Sequence, residues 1–164
     1  MIVRCTNRLL GLLGMSAAGL SDIAASDDDW YANLLWIDRR KCLLLMHAGT
    51  LFPVFDADVR KRDLQRLGPY LVGLIEAALA DEPLPPDALG TLDPDAVAVT
   101  RTASRSVLGF MNDSAQLCRY HVAAVGGLAS IEIDALNHRL RRTLHNRDGY
   151  HDALTAVTER LSDG

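Results

Sequence analysis

The chain has 164 residues, of which 49% are apolar and 23% charged, and its formal net charge is −4. That length suits one domain with a substantial core, and the apolar share excludes a wholly disordered chain. The mild acidic excess gives no overall attraction to nucleic acid or an anionic membrane, so either partner needs a local basic patch.

Met1 to Cys5 reads as a first strand, with Thr6 or Asn7 placed to cap a brief helix over Arg8 to Leu13. The same stretch has a competing reading as a weak signal peptide, because Arg4 and Arg8 precede an apolar run that ends in small residues. Gly11 and Gly14 interrupt that run, which favours the strand and helix. Ser16 to Asp29 is rich in Ala, Ser, Gly and Asp and is expected to be a surface loop, with Asp27-Asp28-Asp29 as solvated charge.

Trp30 to Phe55 carries the strongest β signal. Trp30 to Ile37 forms a strand, Asp38-Arg39-Arg40-Lys41 a polar turn, Cys42 to His47 an apolar strand and Leu51 to Phe55 a third. Pro53 lacks an amide donor, which places that third strand at an edge or on a bulge. From Val59 to Ala80 the period lengthens, and Leu64, Leu67, Leu71, Leu74 (or Ile75) and Ala78 mark an amphipathic helix that breaks or kinks at Gly68-Pro69. Asp81 to Pro94 is a proline-rich loop, and Ala96 to Thr100 a last strand. Ser104 caps a long helix ending near Gly126-Gly127, Ser130 caps another, and Tyr150 to Leu161 closes the chain as a helix. The fold class expected is α+β, a small antiparallel sheet of about four or five strands packed against about four or five helices, in one domain spanning 1–164.

Cys5, Cys42 and Cys118 are odd in number and widely spaced, so they support neither a disulfide framework nor a zinc ribbon. Reduced, buried thiols in a cytoplasmic protein are the simple expectation. No apolar run reaches the roughly 18–20 residues that span a bilayer, and no membrane partner is expected. His47, His121, His138, His145 and His151 follow no metal-ligand spacing, and Walker and dinucleotide glycine motifs are lacking, so no metal or cofactor is expected.

On the long helix, Val107, Leu108, Met111, Ala115, Cys118 and Val122 share an apolar face. Arg105, Asn112, Gln116 and Arg119 recur at i, i+7, i+11 and i+14 with Gly109 between them. Such a row of amides and guanidiniums suits a phosphate, carboxylate or base, and equally a solvated helix face. Asp113, about 80° round the helix, is the one candidate catalytic group, as a base or a metal ligand. Arg39, Arg40 and Lys41 concentrate charge in a turn that can grip a nucleic-acid backbone or merely aid solubility, with Tyr31 and Trp36 nearby as stacking candidates. Asn137, His138, Arg141, Arg142 and His145 make a basic side on the penultimate helix, near its C-terminus, where the dipole favours them.

Four segments resemble a bacterial family catalogued only as a domain of unknown function, DUF6933. They are Met1-Ile2-Val3-Arg4-Cys5-Thr6, Trp30-Tyr31-Ala32-Asn33-Leu34-Leu35, Asp38-Arg39-Arg40-Lys41-Cys42, and Arg105-Ser106-Val107-Leu108-Gly109 with Met111-Asn112-Asp113. The resemblance runs to about residue 145 and implies an α+β domain of bacterial origin without an assigned activity. The chain departs from that pattern at Ser104, where the family carries Asn before the Arg-Ser-Val run, and at Gly68-Pro69. Arg4 and Asn33 in the N-terminal segments join Arg39, Arg40, Arg105, Asn112, Gln116 and Arg119 as the candidate binding residues. Two functions are open. One is a non-catalytic binding or regulatory module that engages another protein or itself. The other is a phosphodiester- or nucleotide-acting enzyme of toxin–antitoxin type, with arginines neutralising phosphate and Asp113 giving acid–base help.

Overall fold

A computed structural model describes residues 1–147 and 149–163. Strands β1 (Ile2–Cys5), β2 (Trp30–Ile37), β3 (Arg40–His47), β4 (Pro53–Asp56) and β5 (Ala98–Arg101) form one sheet in the order β4-β3-β2-β1-β5. Helices α1 (Asn7–Leu12), α2 (Lys61–Gln65), α3 (Leu67–Asp81), α4 (Arg105–Ala124), α5 (Ile133–Arg141) and α6 (Ala153–Asp163) surround it. A small hairpin, β6 (His145–Asn146) with β7 (Tyr150–His151), precedes α6.

The fold is α+β as the sequence indicates, but the sheet is mixed. β2, β3 and β4 make the antiparallel meander, whereas β1 runs parallel to both neighbours, pairing Cys5 with Ala32 on one side and Arg101 on the other. Short turns force antiparallel pairing only on the meander. Long connections leave β1 free to pair parallel.

Alternation divides the core between two faces. Val3, Cys5, Trp30, Ala32, Leu34, Leu43 and Leu45 pack against Leu9 and Leu10 of α1, Leu71, Ile75 and Leu79 of α3 and Val157 of α6. Tyr31, Leu35, Ile37, Leu44, Met46 and Phe55 pack against Val107, Met111, Ala115, Cys118 and Val122 of α4 and Leu136 and Leu140 of α5. Helices on both faces bury every residue of Cys42 to His47, which is why that strand reads as a continuous apolar run.

The break in the amphipathic 59–80 segment falls at Arg66, two residues before Gly68, between α2 and α3, and Pro69 sits in the first turn of α3 where its missing N–H costs nothing. Gly68 lies against the 81–97 connection, where a Cβ would stand 2.1 Å from the Pro94 carbonyl oxygen. A side chain there has no room without backbone movement.

Edge strand β4 is tied down by a side chain. The Asn137 amide accepts the Phe55 N–H (2.7 Å) and donates to the Phe55 carbonyl (2.8 Å), as a neighbouring strand would. Asn137→Leu is expected to cost about 2–3 kcal/mol, because it leaves a buried donor and acceptor of β4 unmatched. The urea midpoint against wild type measures this, and a midpoint unchanged within error refutes it.

The 16–29 segment is more ordered in its contacts than its composition suggests. The Ile23 and Ala24 carbonyls accept from Arg4, and the Ser21 carbonyl accepts from Thr100 Oγ1 at 2.8 Å. Asp29 is buried in an ion pair with Arg4, not solvated like its neighbours.

Candidate functional site

In the parallel part of the sheet the connections diverge. The chain leaves β1 into α1 on one face and leaves the adjacent parallel strand β5 into α4 on the other. In open sheets, divergence of this kind at the carboxyl ends of neighbouring parallel strands opens a place for ligands, but the groove found here lies on the other side of β1, against β2, and takes no lining from β5. β1 stops at Cys5 while β2 continues to Ile37, so the sheet steps down just where α4 crosses it.

A groove of about 530 Å³ lies at this step, lined by Thr6, Asn7 and Arg8 after β1, Asn33 and Leu35 of β2, and Asn112, Ala115, Gln116 and Arg119 of α4. Asn33 and Leu35 alternate onto the face that α4 covers. Asn112, Gln116 and Arg119 share one helix side through their four- and three-residue spacing. The lining carries two guanidiniums and five amide- or hydroxyl-bearing side chains beside Leu35 and Ala115, and among the described residues no carboxylate, histidine or thiol.

Thr6 occupies the N-cap position of α1, yet its hydroxyl makes no capping bond. It donates instead to Asn33 Oδ1 at 2.9 Å, leaving the Asn33 NH2 group without a protein acceptor among the described residues. The Arg8, Asn112, Gln116 and Arg119 side chains likewise make no hydrogen bond or ion pair among the described residues. A groove that holds five unspent donor side chains and no acid is suited to an acceptor-rich, anionic group.

The other candidates do not join it. Arg4 is 1% exposed, and its donors are spent on Asp29 (2.5 Å) and the carbonyls of Arg101, Ile23 and Ala24. It braces the loop over β1 and β5, and its burial with four of its five N–H donors engaged leaves it out of reach of a ligand. Arg105 is exposed at the start of α4, outside the groove lining, and a Cβ on Gly109 would meet nothing within 4 Å, so no cradle needs that glycine. Arg39 and Arg40 sit at the β2–β3 turn and line a different hollow.

Asp113 points round α4 toward the β6–β7 hairpin. Burial lowers the pKa of His145 there, and the Asp113 and Asp152 charges partly oppose that shift. The hollow beside this hairpin, about 330 Å³, mixes signs. Its Arg147 pairs with Asp27 at 3.5 Å and its His151 stands 3.7 Å from Glu159. With Asp27, Asp152 and Glu159 against Arg147, its lining carries more acid than base and does not suit an anion.

Asp81, Glu82 and His138 bring ligand atoms within 4.8 Å of one another, the spacing of a small cation site. The groups already present do not fit a metal. Arg141 stands 3.1 Å from Asp81 and 3.0 Å from Glu82, and Arg142 reaches Glu82 at 2.8 Å, so a cation would enter beside two guanidiniums. The cluster is an ion-pair junction between the end of α3 and α5.

The three thiols are poor nucleophiles. Burial pushes the Cys5 and Cys118 thiols up to about 12 and Cys42 to about 11, so none is a thiolate near neutrality. Burial also lowers His47 to about 3, aided by the Arg160 charge and opposed by Asp28.

Sequence reasoning found Asn33, Asn112, Gln116 and Arg119 and missed Thr6, Asn7 and Arg8. The available signal was a polar Thr-Asn-Arg run directly after a strand, where carboxyl-end loops collect ligand contacts.

A mixed sheet with helices on both faces and an acid-free polar groove at its step defines an α+β domain with a ligand-sized recess. The chain belongs to the family described as Domain of unknown function (DUF6933), whose model matches residues 2–156. No curated protein matches it. No helix among the described residues is long and apolar enough to cross a membrane.

Proposed function

We propose that this protein is a non-catalytic binding module whose groove between α4 and the end of β1 takes an anionic group, a carboxylate or phosphate. The observation that carries this reading is the groove's composition. Arg8 and Arg119 stand with Asn7, Asn33, Asn112 and Gln116, and no acid offsets them. Two guanidiniums supply forked, charge-assisted donors, and the amides add directional contacts. Leu35 and Ala115 give an apolar floor, as in most small-molecule sites.

The alternative, a phosphodiester- or nucleotide-acting enzyme, requires an acid or base beside the arginines. Asp113 lies on another side of α4, and Arg39, Arg105 and Asn112 are dispersed rather than gathered on one recess. This dispersal favours binding over turnover.

The test is a titration of the full chain with inorganic phosphate and with a nucleoside monophosphate, followed by amide NMR shifts. Shifts are expected at residues 6–8, 33 and 112–119. Arg119→Ala and Arg8→Ala are each expected to weaken binding about tenfold or more, the scale of a lost charge-assisted contact. Both side chains are exposed and unpaired, so melting temperatures should hold. Anion-induced shifts elsewhere, with unchanged affinity in both variants, would refute the reading.

A further inference from the structure

The β2–β3 turn carries a second surface, separate from the groove and independent of it. Trp36 and Trp30 are the chain's two tryptophans, and the strand treats them in opposite ways. Trp30 is 1% exposed in the core, whereas Trp36 is 49% exposed on the opposite end of β2. Lys41, its cross-strand partner, holds Nζ 5.7 Å from the centre of the Trp36 ring. Tyr31, the other aromatic candidate, is buried, and its hydroxyl accepts the Ser104 N–H at 3.0 Å.

The turn itself is unusual. Asp38 and Arg39 both have positive φ, 48° and 61°, in a two-residue hairpin connection. Glycine or asparagine suits those positions better than arginine. Asp38 has a fold-level reason to be there, since its Oδ2 accepts the Leu128 N–H at 2.7 Å and anchors the turn. Arg39 makes no hydrogen bond or ion pair among the described residues. A strained backbone that presents an unpaired cation points to use of that cation.

Around Trp36 the hollow is lined by Arg39, Arg40, Lys41 and Arg60, with Asp58 as the one carboxylate, a local excess of three positive charges in a chain of net charge −4. Arg40 spends part of its charge on Asp58 at 3.0 Å, but both side chains are about half exposed and the pair is weak. We propose that this turn binds single-stranded nucleic acid, with Trp36 stacking on a base while Arg39, Lys41 and Arg60 follow the phosphates. A half-exposed indole among cations is the arrangement that single strands use, because every base offers a π face and every linkage a charge. An acidic peptide satisfies the cations and leaves the indole without a role.

The experiment titrates the full chain with a short oligothymidylate and reads tryptophan fluorescence. Trp30 is shielded, so quenching reports Trp36. Binding with quenching is expected, with a log–log salt slope of about −2 for three phosphates on a single strand. Trp36→Leu is expected to weaken binding roughly tenfold or more. Arg39→Asn removes the charge while suiting the turn better, so it should lower the salt slope and the affinity without lowering the melting temperature. Binding without quenching overturns the proposal. So does polyglutamate binding as tightly as the oligonucleotide, or thymidine monophosphate matching it, the latter marking a mononucleotide subsite. Loss of groove binding in Arg119→Ala has no bearing on this outcome, so the two sites fail separately.

Discussion

Arg4→Met is expected to remove about 3–5 kcal/mol of stability, the scale of breaking a buried pair from one side. Against a total near 5–15 kcal/mol for a domain, that leaves a substantially destabilised protein. The Arg4 and Asp29 side chains are 1% and 3% exposed and meet at 2.5 Å. Methionine fills much of the volume but strands the Asp29 carboxylate, which keeps only the Ser26 N–H at 2.9 Å. It also removes the donors to the Ile23, Ala24 and Arg101 carbonyls, so the loop over β1 and β5 loses its anchor. Urea unfolding measures the effect. Asp29→Asn is expected to cost a similar amount by stranding the guanidinium. Arg4→Met combined with Asp29→Leu should cost clearly less than Arg4→Met and Asp29→Leu measured singly and summed, because no charge is left alone. A loss below about 1 kcal/mol in Arg4→Met would show that the pair does not lock the loop.

The second large effect lies at Glu82. Burial raises its pKa, but hydrogen bonds and charge from Arg142 and Arg141 outweigh burial and hold it at about 2, below its ordinary 4.5. A shift of that size corresponds to about 3 kcal/mol of preference for the ionised form in the fold. The folded value is the depressed one, so this contribution is complete above pH 4.5 and is lost as pH falls from there toward 2. Glu82→Gln is therefore expected to lose on the order of 2–3 kcal/mol at neutral pH and to converge on wild type across that acid window. Stability measured by urea from pH 7 to pH 2 tests both statements. A constant gap between the two proteins at every pH would show that the carboxylate's charge is not what ties α3 to α5.

The groove was legible in part for a geometric reason. Helical spacing alone puts Asn112, Gln116 and Arg119 on one side of α4, so three of its residues could be grouped without coordinates. Asn33 stood out only as part of a β segment, and which face it takes follows from alternation with buried Tyr31 and Leu35. Arg105 belongs to the same helical row but lies a full two turns before Asn112, beyond the length of the recess. Thr6, Asn7 and Arg8 were hidden because a polar run after a strand reads equally as helix capping. Only the pairing of Thr6 with Asn33 reveals that the hydroxyl serves another element.

Arg4 illustrates the converse difficulty. An arginine in a strand can bind a ligand or buttress a loop, and those roles differ by where a segment some 20 residues away happens to pass. Nothing local in Ile2 to Cys5 records the path of Ile23 and Ala24.

Local and periodic physics settled the meander strands, the helix faces and the Ser104 cap and came within two residues of the Arg66 break, because each depends on residues within a few positions of one another, whereas the short β6–β7 hairpin was read in part as helix. The parallel placement of β1 between β2 and β5, the burial of Asp29 and the unequal exposure of Trp30 and Trp36 were decided by tertiary structure. Those features rest on contacts between segments far apart in the chain, where competing pairings satisfy the same local pattern and only the packing of both sheet faces selects among them.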